Sequence, residues 1–463
     1  MTWARAVLTA YCEHTSLQQD EEPSLQFRSA EMILRHHCWL GRARGLSAHN
    51  THQRHMVPLC TRPTPGCVVL FMPYLSWETA KHHAEAKVVI QSETDSAMTY
   101  ETGTRWKPLI RSMTGAVAKT MHTKRVPRSP LGQLFLDVAS LHQAMCTYDD
   151  RKLLKTKLHY PASLHPRRSL DQAQYGDEDS AKDKDQVVYR ATNVIKEYQR
   201  SNPGDKVKIP TKPNFVIPGT AKLIMVDQLW MWILDNHTVV TAFPKRWGST
   251  RGDASDVHQA IRNRMQLRST RDWNAFDIGL IIIEECADAL FNESLISQRP
   301  QVLDIFAEAL GFARRRQTQS LKRILYWSNA AARMRKVNAA KDILDLQLPL
   351  FDIGSEAALQ MEINDITDEL QMMIQIFKTQ QGLLGSFRDQ GQLELRKSHG
   401  NYDDLTEDQR RFIDQRIERF RLAAKEILER FDDRIRNLEE LRDRAQNVSD
   451  SVNQIRSSLR HGI

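Results

Sequence analysis

Apolar positions divide the chain into segments with two different periods. "GCVVLFMPYLSWET" (66–79) has a compact apolar centre between glycine and proline, and predicts a buried strand. "KLIMVDQLWMWILD" (222–235) and "HTVVTAFP" (237–244) are rich in strand-forming residues, with turn chemistry at "DNH" between them. They predict a β-hairpin at the centre of a sheet, with Trp230, Trp232 and Phe243 as core residues. The lack of clean alternation implies that at least one strand is covered on both faces.

Elsewhere the period is helical. Leu134, Val138, Leu141 and Met145 predict a helix over 129–145, and further helices follow the hairpin at 255–267, 273–291, 300–316 and 319–337. Residues 1–65 show little periodicity and read as irregular. Residues 160–220 are polar, then rich in proline and glycine, and read as a surface excursion with a short helix near 186–199. A strand hairpin flanked by helices predicts an α/β layered domain over 66–350, within an α+β, helix-rich chain.

The last third has a tighter repeat. Leu359, Ile363, Ile366, Leu370, Met373 and Phe377 recur at alternating four and three. A polar break is expected over 388–404, and a long helix from near Thr406. Its seam runs Ile417, Phe420, Ala424, Ile427, Phe431, Arg434, Leu438, Leu441, Ala445, Val448, Val452, Ile455 and Leu459. A sustained 3.5-residue repeat is a coiled-coil seam, here about 70 Å long. Its apolar members predict association, either with the chain's own 356–378 helix or with partner chains. Arg434 is the polar exception and a candidate for setting register. The segment 356–463 therefore reads as a helical stalk.

Composition narrows the classes. The chain has 463 residues and a formal net charge of +8, with basic and acidic residues interspersed. No zinc-finger, RRM or KH pattern occurs, so nucleic acid is not an expected partner. The six cysteines are scattered without a Cys-x-x-Cys pair, which fits a reduced intracellular protein rather than a disulfide scaffold. No stretch is long and apolar enough to span a bilayer. No nucleophile or phosphate-loop motif occurs, and no enzymatic activity is expected.

Two charged features remain. Asp277, Glu284 and Asp288 fall at i, i+7 and i+11, on one face of the 273–291 helix. They are either a patch for a divalent cation or a solvated face. "ARRRQTQSLKR" (313–323) is the densest basic run, read as a solvated helix end that complements the helix dipole.

Several long blocks, "MPYLSWET" (72–79), "HPRRSLDQ" (165–172), "KDKDQVVYR" (182–190), "LIMVDQLWMWILD" (223–235), "TAFPKRW" (241–247) and "PQVLDIFAEALG" (300–311), resemble fungal CorA-like magnesium transporter proteins over about 68–463. The resemblance implies a CorA-type cytosolic α/β/α domain followed by a long coiled-coil-like stalk helix. It further implies assembly as a pentamer, and magnesium as the ion sensed or transported. In such proteins the stalk enters a membrane and a Gly-Met-Asn motif closes the first span. Here the sequence stops at Ile463 with neither feature. The expectation is the cytosolic gating and assembly portion of such a transporter, without its pore helices, at the cytosolic face of a membrane. It would self-associate or join related full-length channel subunits. The alternative is a soluble coiled-coil interaction or regulatory protein without transport activity.

Overall fold

A computed structural model describes residues 11, 58–64, 66–84, 167–175, 182–193, 221–244, 257–267, 273–291, 301–335, 354–397 and 406–461. The described part is mostly helical, with one small antiparallel sheet. The helix expected over 129–145 lies outside the described residues.

The sheet is built on two long strands. β1 (Leu59–Thr64) pairs with β2 (Cys67–Thr79) across a turn at Gly66, whose φ of +82° is a left-handed conformation that glycine adopts without strain. β2 pairs along its length with β4 (Lys222–Ile233). The outer edge of β4 is shared by β3 (Arg168–Ser169) and β5 (Val239–Ala242). Pro73 is tolerated inside β2 because β1 reaches only Phe71; beyond it, Gln380 Nε2 donates to the Pro73 carbonyl at 2.8 Å.

The expected hairpin forms. His237 N–H donates to Asp235 Oδ1 at 2.6 Å in an Asx turn, and Leu234 N–H donates to the Thr238 carbonyl. β4 is covered on both faces. Val68, Leu70, Met72, Leu229, Met231 and Ile233 face the main core. On the other face Phe71 meets Trp230 and Trp232 edge-on, with ring centroids 6.4 and 5.7 Å apart. Trp230 and Trp232 are buried, and Phe243 is partly buried against the core.

Two irregular readings are corrected. β1 lies inside 1–65; it is an edge strand ordered by β2, not by a period of its own. The 160–220 stretch is not simply a surface excursion. It contains β3, α1 (Leu170–Tyr175), a 3-10 turn (Lys182–Lys184) and α2 (Val187–Thr192), with Leu170, Val187 and Val188 buried. Its polar residues are buried because each finds a polar partner, either within the stretch or on β2 and β4. Arg167 donates to Asp227, Glu78 and Ser76, and Ser169 and Gln172 both donate to Asp183.

The helices follow as α3 (Val257–Leu267), α4 (Ala275–Asp288), α5 (Val302–Arg335), α6 (Gly354–Lys397) and α7 (Glu407–His461). Two expected breaks are absent. The helices at 300–316 and 319–337 are one continuous α5, in which Thr318 Oγ1 bonds the Arg314 carbonyl within the helix. The polar stretch after 388 stays helical to Lys397, because Glu394 receives Arg62 and the Gly66 N–H from the β1–β2 turn. α7 starts where expected, on a capping box in which Thr406 and Gln409 bond each other's N–H groups.

α6 and α7 form an antiparallel pair. Gln360 meets Ser449, Gln371 meets Arg442 and Lys378 meets Glu439. The α6 seam from Leu359 to Phe377 is buried. So are Ile417, Phe420, Ile427, Phe431, Leu438, Leu441, Val448 and Val452 of α7. The apolar stripe read as an oligomer seam is thus covered within one chain. The side chains of Ile455 and Leu459 lie outside the described residues. The stalk also shares one continuous core with the sheet. Close approach at that junction needs two glycines. A Cβ on Gly279 would lie 2.7 Å from the Phe387 ring, and one on Gly391 would lie 2.7 Å from the Phe420 ring. Phe276, Phe387 and Phe420 pack there with centroids 6.2–6.3 Å apart.

Candidate functional site

The expected carboxylate row sits where α3, α4 and α7 meet. α4 begins on a capping box: Asn274 accepts from the Asp277 N–H at 2.7 Å, and Asp277 accepts from the Asn274 N–H at 3.2 Å. The hairpin loop steadies this end, since the Asn236 carbonyl accepts from the Ala275 N–H at 2.8 Å. Burial raises the Asp277 pKa, opposed by the Asn274 backbone bond and by Arg416 and Arg419 on α7.

The other two carboxylates face arginines. Glu284 is buried and pairs with Arg264 at 2.5 Å and with Arg430. Neighbouring Glu285 is held by Arg264 at 2.8 Å. Asp288 pairs with Arg434, and Arg430 lies 3.7 Å away. Arg434 also donates to the Ala287 carbonyl at 2.8 Å and lies over the Phe291 ring at 5.1 Å. The polar exception in the seam is therefore placed at the C-terminus of α4, where free carbonyls and the helix dipole favour a cation. A groove of about 180 Å³ opens beside this row, lined by Arg264, Trp273, Asp277, Glu284, Arg416 and Arg430 among others.

Asp277, Glu284 and Asp288 do share a face of α4, but that face packs toward arginines of α3 and α7 rather than standing free in solvent. Magnesium needs oxygen ligands in near-octahedral array and keeps several waters. These three do not fit it, because one caps its own helix and the other two are neutralised by arginine. Among the described residues, no group of three or more His, Cys, Asp and Glu side chains converges into a metal-binding set. The arrangement can act as an electrostatic clamp that fixes α7 against α3 and α4.

A second acidic cluster escaped the sequence reading. Glu369 of α6 is fully buried, and its Oε1 accepts the Val187 N–H at the start of α2 at 2.9 Å. Its Oε2 has no hydrogen-bond partner. Burial, with Asp171 and Asp365 nearby, pushes its pKa well up. Asp171 is itself raised to about 6, chiefly by burial. The available signal was positional: Glu369 flanks Leu370, a member of the α6 seam.

Of the described cysteines, Cys286 and Cys60 are not prepared as nucleophiles. Burial raises the Cys286 thiol pKa well above its usual value and that of Cys60 to about 12. Among the described residues no helix is long and apolar enough to cross a membrane. Comparison with protein-family models, curated proteins and solved structures finds no match.

Proposed function

We propose that this chain is the cytosolic gating and assembly portion of a CorA-like divalent-cation transporter, with magnesium as the ion sensed or carried. The observation that supports this reading is convergence. Four of the sequence blocks that carry the resemblance meet in adjoining hydrogen-bonded sets beside β2 and β4. Ser76 and Glu78 come from the first, Arg167, Ser169 and Gln172 from the second, Asp183 and Gln186 from the third, and Asp227 from the fourth. Gln186 links the third block to β4 by accepting the Ile224 N–H at 3.0 Å. The same chain then supplies a long paired helix clamped to its α/β part, as a gating stalk requires. Assembly would be as a pentamer, or with related channel subunits, at the cytosolic face of a membrane.

The test is sedimentation velocity of the full chain with and without magnesium. The expected result is a magnesium-tightened oligomer. A distribution indifferent to magnesium overturns the reading. Two observations favour the alternative of an interaction or regulatory protein without transport activity. The α4 carboxylates are already neutralised, and the α7 seam is already covered by α6. An oligomer that ignores magnesium is the outcome that this alternative expects.

A further inference from the structure

The basic run on α5 has no role in either reading. From Ala309 to Lys341 the sequence contains no Asp or Glu, while Arg314, Arg315, Arg316, Lys322, Arg323, Arg333, Arg335, Lys336 and Lys341 are all basic. The run is not a helix end, because α5 continues unbroken to Arg335. Complementing a C-terminal dipole therefore does not explain charges roughly three to six turns upstream, as that effect fades within the last turn.

The helix uses part of this charge internally. Arg316 pairs with Glu362 at 2.6 Å and Arg323 with Glu356 at 2.8 Å, fixing α5 to the start of α6. Arg314, Arg315, Lys322 and Arg333 are exposed and make no ion pair among the described residues. Arg315, Lys322, Tyr326 and Arg333 follow i, i+7, i+11 and i+18, and so form one ridge along the helix. Arg314, Leu321 and Leu325 form the ridge beside it. Leu321, Leu325 and Tyr326 are exposed at 42%, 54% and 68%. A face that mixes cations lacking ion-pair partners among the described residues with exposed leucine and tyrosine suits the headgroup region of an anionic bilayer: cations meet lipid phosphates and apolar tips enter the acyl boundary.

On the transporter reading, in which α7 leads toward a membrane, position favours the same partner. α5's basic half lies along the start of α6, and Gln360 there bonds Ser449 in the last third of α7. The basic face thus lies at the end of the bundle toward which α7 runs. We infer that the outer face of α5 between Arg314 and Arg333 is a docking surface for an anionic lipid bilayer. The chemistry of the face supports this whether the protein serves a transporter or acts as an interaction protein.

The test is co-sedimentation of the full chain with phosphatidylcholine vesicles and with vesicles containing roughly a quarter phosphatidylserine. The chain is expected to bind the anionic vesicles alone, with affinity falling steeply as salt rises. Combined R314E, R315E and K322E substitutions should weaken binding on the order of 100-fold or more. L325A with Y326A should weaken binding while leaving its salt dependence in place. All these side chains are exposed, and circular dichroism should show both variants folded. Failure of the wild-type chain to bind anionic vesicles overturns the inference. So does full binding by the charge-reversed variant, or association with single-stranded RNA in place of vesicles at equal salt.

Discussion

Two helices carry rows of carboxylates, and the rows differ in what faces them. On α4, Glu284, Glu285 and Asp288 meet Arg264, Arg430 and Arg434 from two other helices. On α6, Glu369 and Asp365 look toward Asp171 and Asp185, with Arg190 as the cation that acts on both. The α4 row is matched in charge and stitches three elements together. The α6 row is not matched, and its carboxyl groups hold their protons to higher pH. Carboxylate spacing along a helix is the same kind of signal in both places. Only the residues brought from elsewhere in the chain decide whether it becomes a clamp or a store of uncompensated charge.

The sharpest break comes from removing a cation that faces buried carboxylates. Arg167 lies between Asp227 and Glu78, both buried. Burial works against its charge, and the ion pairs with Asp227 and Glu78 more than offset that, so its pKa is raised. Arg167→Met should destabilise the fold by about 3–5 kcal/mol in urea unfolding, because two carboxylates are left unpaired. The triple variant R167M, E78Q, D227N should recover much of the loss. A single variant that unfolds like the wild type would refute the matched-charge account of this network.

Arg434→Ala should cost less, about 2 kcal/mol, because its partner Asp288 is 22% exposed and water takes over part of the pairing. The loss combines an ion pair, a carbonyl bond and stacking on Phe291. Arg434→Lys should restore only part of it, since an ammonium lacks the planar fork. Full rescue by lysine would reduce the clamp to simple charge.

The unmatched row predicts the opposite sign. Glu369→Gln keeps an acceptor for the Val187 N–H and removes a carboxyl group that ionises readily only in the unfolded chain, so it should stabilise the chain by about 1–2 kcal/mol at neutral pH. The raised pKa values of Asp171 and Glu369 mean that the folded state holds protons that the unfolded chain releases. Their contribution is fully present below the ordinary carboxylate range and is lost as pH rises through about 6 for Asp171. Unfolding free energy should therefore fall on the order of 1–2 kcal/mol between about pH 5 and pH 7.5, allowing for partial exposure of Asp171. The D171N, E369Q double variant should lose that slope. An unchanged slope would place the titration elsewhere.

Much of the framework was legible before these charges were. The hairpin showed itself in Asp235 and Asn236 between two strand-forming runs, and the α6 and α7 seams in an unbroken four-three spacing. Local pattern suffices where a residue's neighbours in sequence are also its neighbours in space. It failed at Gly391, which lies in the stretch read as a polar break but makes room for the Phe420 ring from another helix. It failed at Gln317 and Thr318, which read as a break but continue α5. It failed most on Asp288, whose partner Arg434 lies 146 residues away. Spacing placed the acidic row on one face and could not supply the arginines opposite it.

The smallest expected effect sets the lower bound of the comparison. Glu418 and Arg421 form a two-bonded i, i+3 pair on α7, at 2.6 and 2.8 Å. By geometry it is as well formed as any pair in the α4 clamp. Both groups are exposed, and each already exchanges good hydration for its partner. The bonds lower the Glu418 pKa and raise that of Arg421, yet screening leaves little for stability. Arg421→Ala should leave the urea midpoint unchanged within error, at low and at high salt. A clear loss at low salt would show that exposed pairs within α7 contribute to stability. Bond geometry, rather than burial of the matched charge, would then be what separates the clamp from the remaining ion pairs.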